Sequence, residues 1–172
     1  MNTDKAFIRF AYDYEAQDIA QIYTSAWKTA YRGLISDEYL DGLSSSRWLS
    51  HIEKNLDEGY PITLVLENNA LLAGTSSLGE ARDSDLDDSY GEIWSVYLLP
   101  EYWSLGLGHR LLEFGLNELV IMGYTNASIW VLPENKRAVK SYEKAGFVFD
   151  GVTKEIDIGG SLVTDARMTK KL

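Results

Sequence analysis

The 172-residue chain has no cysteine, two histidines and three prolines. Without a thiol it forms no disulfide, no thiolate metal site and no cysteinyl acyl-enzyme. His51 and His109 are too few for a multi-histidine zinc centre, so no metal is expected. Basic residues are scarce as well: 16 Lys and Arg stand against 26 Asp and Glu, for a net charge of −10. Gripping a phosphate backbone needs excess positive charge, so no nucleic-acid partner is expected. Long apolar runs are also missing. Stretches such as Ile62–Leu66 and Ile129–Leu132 fall far below the ~20 residues that cross a bilayer, so no membrane partner is expected. The start, Met1-Asn-Thr-Asp-Lys5, has no apolar segment behind a basic one, which reads as no signal peptide and a cytoplasmic location.

What is present is an ordinary globular composition, 45% hydrophobic and 24% charged, without repeats or Pro/Ser-rich linkers, so one domain over 1–172 is expected. A strand at Ala6–Ala11 precedes a helix capped near Asp13. There Ala16, Ile19, Ala20, Tyr23, Ala26, Trp27 and Ala30 recur at helical spacing until Gly33. A second helix runs over Ser44–Leu56. Strands Ile62–Glu67 and Leu71–Leu78 follow, joined by a turn at Asn68-Asn69. Arg82–Ser89 reads as a polar loop and Glu92–Leu99 as a strand. Ser104–Met122 is a helix, Ala127–Leu132 a strand and Asn135–Lys144 a short helix, with a strand pair around Gly159-Gly160. The fold class is mixed α/β with about seven mostly antiparallel strands and about four helices.

The segment richest in chemistry is Val96-Tyr-Leu-Leu-Pro-Glu-Tyr-Trp-Ser-Leu-Gly106-Leu-Gly108-His109, a strand entering a glycine turn that opens a helix. The first amides of a helix have no partner along the chain, and glycines let an anion approach them closely. A dinucleotide fingerprint would need glycine where Leu111 stands, and a P-loop would need Gly-Lys-Ser/Thr where His109-Arg110 follows. Downstream the chain reads Ile129-Trp-Val-Leu-Pro-Glu-Asn135-Lys-Arg-Ala138-Val-Lys-Ser-Tyr142-Glu-Lys-Ala-Gly146-Phe147. With the Gly106-x-Gly108 turn, this resembles the GCN5-related N-acetyltransferase (GNAT) superfamily over about Glu92–Met122 and Ala127–Phe147. One departure is Trp103, which stands where the family usually has Gln or Arg.

The resemblance implies a sheet whose strands Glu92–Leu99 and Ala127–Leu132 splay to form an acyl-CoA cleft. It implies acetyl-CoA as co-substrate and an amine of a small molecule or peptide as acceptor, with direct attack in a ternary complex. An acyl-CoA-binding regulator of the same fold that has lost turnover is the alternative. On that template Val96, Tyr97 and Leu98 contact the pantetheine, and the Leu98 N–H is the oxyanion donor. Trp103, Ser104, Leu105, Gly106, Leu107, Gly108 and His109 surround the pyrophosphate, with Asn135 and Ala138 close by. Glu92 is the candidate base, with water chains or other groups as alternatives. By strand alternation it shares a face with Trp94 and Val96. Tyr142, seven residues after Asn135 on the same helical face, is the candidate proton donor to the leaving thiolate, against simple packing beside Ala138 and Val139. Asn135 also suits a helix N-cap. Trp27, Tyr31 and Trp94 are acceptor-side candidates, although Trp27 and Tyr31 fit a core equally well. The resemblance also makes a homodimer possible. Charge is unevenly spread. Glu80, Asp83, Asp85, Asp87, Asp88 and Glu92 surround a lone Arg82, whereas Lys136, Arg137, Lys140 and Lys144 crowd one short helix. The basic helix is expected near the nucleotide and the acidic loop at the acceptor mouth.

Overall fold

A computed structural model describes residues 5–172. Seven strands form one sheet in the order β1-β2-β3-β4-β5-β7-β6. They are β1 (Phe7–Phe10), β2 (Ile62–Asn68), β3 (Leu71–Glu80), β4 (Tyr90–Leu98), β5 (Asn126–Val131), β6 (Val148–Ile158) and β7 (Ser161–Lys171). Every neighbouring pair is antiparallel except β4 and β5. Five helices flank the sheet: α1 (Ala16–Ala30), α2 (Asp37–Gly42), α3 (Ser46–Glu58), α4 (Leu107–Ile121) and α5 (Lys136–Lys144).

Alternation along β2 divides the interior. Leu64 and Leu66 face the main core with α4 and α5, while Val65 faces Ala16, Ile19 and Ala20 of α1 and Ile52 of α3. Helix α4 presents Leu107, Leu111, Leu112, Leu116 and Leu119 to the sheet, each worth about 1.5–3 kcal/mol when fully buried. Gly115 lies on that stripe because a Cβ there would come 3.2 Å from Ile93 Cδ1. On the opposite face Tyr23 of α1 hydrogen-bonds Ser77 Oγ (3.1 Å) and Ser95 Oγ (2.9 Å), fixing the helix against β3 and β4.

Three local expectations are corrected. The short helix α2 falls in a stretch with no expected element; six residues are too few to display a period, and Ser36 Oγ caps it by accepting from Tyr39 N–H. The β2–β3 turn is Asn69-Ala70, both at positive φ, one residue later than Asn68-Asn69, because Asn68 is still paired with Leu71. Helix α4 begins at Leu107 rather than Ser104, since Ser104 and Gly106 take φ of 61° and 78° and no helix can start before them.

Candidate active site

Strands β4 and β5 pair only at Tyr90–Asn126, Gly91–Ala127 and Glu92–Ser128. Beyond Glu92 they separate, β4 continuing on β3 and β5 on β7. Leu99 N–H donates to Ala73 O on β3 (2.9 Å), and backbone groups alternate sides along a strand. The N–H groups of Leu98 and Val96 therefore face the gap. The Leu98 carbonyl confirms this direction, accepting from Trp103 Nε1 across 3.0 Å.

The gap opens into a cavity of about 460 Å³. At one end lies the N-terminus of α4, where Arg110 N–H is the first amide bonded back, to Gly106 O. The amides of Leu107, Gly108 and His109 precede it and supply unpaired donors at the positive end of the helix dipole. His109 Nδ1 is buried with no partner among the described residues. These donors fit a phosphate-bearing ligand. Opposite them, α5 sends Arg137, Lys140 and Lys144 to the cavity wall, with the Arg137 guanidinium 3.1 Å from the Trp103 ring centroid. Asn135 caps α5, its Oδ1 accepting from Ala138 N–H (3.3 Å).

The middle of the cavity is aromatic. Tyr142, buried, meets Phe147 edge-on at 6.3 Å. Burial, then the neighbouring Tyr31 and Asp165, hold its hydroxyl far above the ordinary tyrosine range, so it stays protonated. Burial and then Asp165 likewise push Tyr31 up to about 12. Tyr97 is raised too, mainly by burial, and its ring lies 4.6 Å from that of Tyr23.

The sequence profile of the acetyltransferase (GNAT) family matches residues 19–147, most of the chain. The chain belongs to the GNAT acetyltransferase family. It is similar to L-amino acid N-acyltransferase MnaT of Escherichia coli, with 30% identity over 82% of this chain and 78% of that protein. It is also similar to YuaI of Bacillus subtilis, an uncharacterised N-acetyltransferase, with 27% identity over 70% and 68%. In fold it matches the PaiA N-acetyltransferase of Thermoplasma acidophilum, solved with coenzyme A, at a TM-score of 0.75 and 22% identity over 97% and 99% of the two chains.

Within this GNAT fold the cavity is lined by Tyr31, Trp94, Val96, Tyr97, Leu98, Trp103, Ser104, Gly106, Gly108, His109, Asn135, Ala138 and Tyr142. Four other candidates stand outside that wall. Leu107 is buried in the core, and the Leu105 side chain points to solvent. Trp27 packs instead between Tyr31 (4.8 Å) and Trp48 (5.7 Å). Glu92 sits at the fork of β4 and β5, 1% exposed, and its carboxylate accepts from Arg82 N–H (3.0 Å), Nε (3.2 Å) and Nη2.

The expected face-sharing holds only in part. A bulge between Ser77 and Leu78 inserts Trp94, so Arg82 spans Glu92 and the Trp94 ring (4.4 Å), yet Val96 turns to the α4 core and Ser95 takes its place. The acidic loop is a strap tied to the sheet. Asp83 and Asp85 bind Arg167, which also holds Asp150 at 2.7 Å, and Asp83 accepts from Trp130 Nε1 at 2.9 Å. Trp130 is a cavity residue that sequence reading missed, whereas Arg137 belongs to the basic helix expected near the nucleotide. Alternation along β5 was the available signal for Trp130.

Proposed function

We propose that this chain transfers the acetyl group of acetyl-CoA to a primary amine of a small molecule or peptide, by direct attack within a ternary complex. The observation that carries the reading is the parting of β4 from β5 beyond Glu92. It exposes two backbone N–H groups to the cavity that also receives the α4 N-terminus and Tyr142.

Bound there, acetyl-CoA supplies a thioester, an acyl group activated toward amines. The amides of Leu107, Gly108 and His109, with Arg137 and Lys140, hold its phosphates. Val96 and Leu98 N–H groups bind the pantetheine arm, and Leu98 N–H polarises the thioester carbonyl. Tyr142 keeps its proton at neutral pH and is positioned to release it to the departing sulfur. No cysteine is present to carry the acyl group, in keeping with direct transfer.

The test is thiol release from acetyl-CoA with putrescine, spermidine, phenethylamine, L-methionine, L-phenylalanine and an alanyl peptide as acceptors, alongside calorimetric binding of acetyl-CoA. Binding plus amine-dependent release is expected. Binding with no release from any acceptor would make the chain an acyl-CoA-binding regulator, and absence of binding would sink the reading altogether.

A further inference from the structure

The acceptor amine is an ammonium at neutral pH, so some group has to take a proton before nitrogen can attack. Glu92 is poorly arranged for this: both its oxygens accept from Arg82. A second carboxylate lies on the same side of the sheet. Along β7, Ala166 and Met168 belong to the core or its margin, so Asp165 and Arg167 face the other way, toward α1. Arg167 is fully engaged by Asp83, Asp85 and Asp150. Asp165 has no ion pair within 4 Å among the described residues; Lys154, directly across on β6, places its Nζ 3.5 Å over the Trp130 ring instead.

The groups that act electrostatically on or with Asp165 come from every surrounding element. They are Tyr31 at the end of α1, Tyr142 of α5, Glu92 of β4, Asp83 of the strap and Lys154 of β6. Tyr31 and Tyr142 line the cavity; Asp165 is not on that wall itself, but it is next to Ala166, which pairs with Val131 of the wall. We infer that Asp165, acting through bridging water, is the base that deprotonates the acceptor ammonium, an inference that rests on the proposed acetyl transfer.

The step balances as follows. The ammonium gives one proton through bridging water to the Asp165 carboxylate, and the freed nitrogen lone pair forms the C–N bond to the thioester carbon. The C–S bond breaks, its electron pair stays on sulfur, and Tyr142 protonates that sulfur. The second proton lost by nitrogen restores Tyr142, and Asp165 returns the first to solvent. Burial supports this role, pushing Asp165 up to about 6, with Glu92 and Asp83 adding to the rise and Lys154 opposing it. A base in that range is ionised at pH 7 and still strong enough to take a proton.

The test uses the full chain with acetyl-CoA and whichever of the six acceptors is most active. Asp165→Asn is expected to lower kcat about 100-fold, leave the KM for acetyl-CoA within about twofold, and abolish the acidic limb of kcat/KM near pH 6. Asp165→Glu should keep that limb at a reduced rate, and Glu92→Gln should keep it as well. Carbon-13 NMR of the aspartate carboxyls in the coenzyme A complex gives a readout independent of turnover, with the signal lost in Asp165→Asn titrating near 6. A limb that survives in Asp165→Asn but disappears in Glu92→Gln overturns the inference, and so does an Asp165 that titrates near 4. A wild-type chain inactive with all six acceptors fails at the earlier step, the acetyl transfer itself.

Discussion

Trp103 stands where a polar side chain was expected to reach toward phosphate, and its indole serves the cavity in two other ways. Nε1 donates to Leu98 O, which orients the β4 backbone with its N–H toward the gap, and the ring face carries the Arg137 guanidinium. Tyr142 packs on Phe147 and also lines the cavity. Its proton is the separable part. Tyr142→Phe keeps the ring, so steady-state assays should find kcat reduced at least tenfold and acetyl-CoA affinity changed less than about threefold. Equal losses in both would reduce Tyr142 to a packing residue.

Helices α1 and α4 were legible because their apolar residues repeat over four turns, and the glycine turn because its φ values demand Gly106. Strand β4 was legible only in outline. Its bulge at Trp94 carries no signature in composition, yet it decides that Val96 joins the core and Ser95 meets Tyr23. Helix α5 was read through Asn135 and Tyr142, while the basic face between them was assigned only by charge. That face gives an element-scale prediction. Arg137→Ala should raise the acetyl-CoA dissociation constant roughly tenfold in calorimetry, whereas Lys136→Ala, outside the cavity wall, should stay within about twofold. Equal effects of the two would mean that only the overall charge of α5 matters.

Over the whole molecule, one buried cation gathers three of the 26 acidic residues. Arg167, 3% exposed, ties the 81–89 strap through Asp83 and Asp85 and the edge strand β6 through Asp150. Of the six acids expected at the acceptor mouth, Asp83 and Asp85 are held by Arg167 and Glu92 by Arg82. Arg167→Met would leave three carboxylates facing one another. Thermal unfolding should show a loss of about 3 kcal/mol, or a Tm lower by roughly 6–12 °C, partly relieved below pH 4 as the carboxylates protonate. A variant as stable as wild type would mean that the strap is held by other contacts.

Sequence alone determined the order of the strands and of the four longer helices, the helix-opening glycine turn, the Asn135–Tyr142 face and the absence of a cysteine thiol. The structural ones depend on residues adjacent in the chain or one or two helical turns apart, where periodicity and backbone sterics act directly. Only the tertiary structure decided which carboxylate is paired and which is not. Glu92 and Arg82 are ten residues apart, but Asp165 comes under the electrostatic influence of Tyr31, Tyr142 and Glu92 only after the sheet has brought β7 beside β5. Proton affinity depends on burial and on neighbouring charge, and for Asp165 both come from segments distant in the sequence.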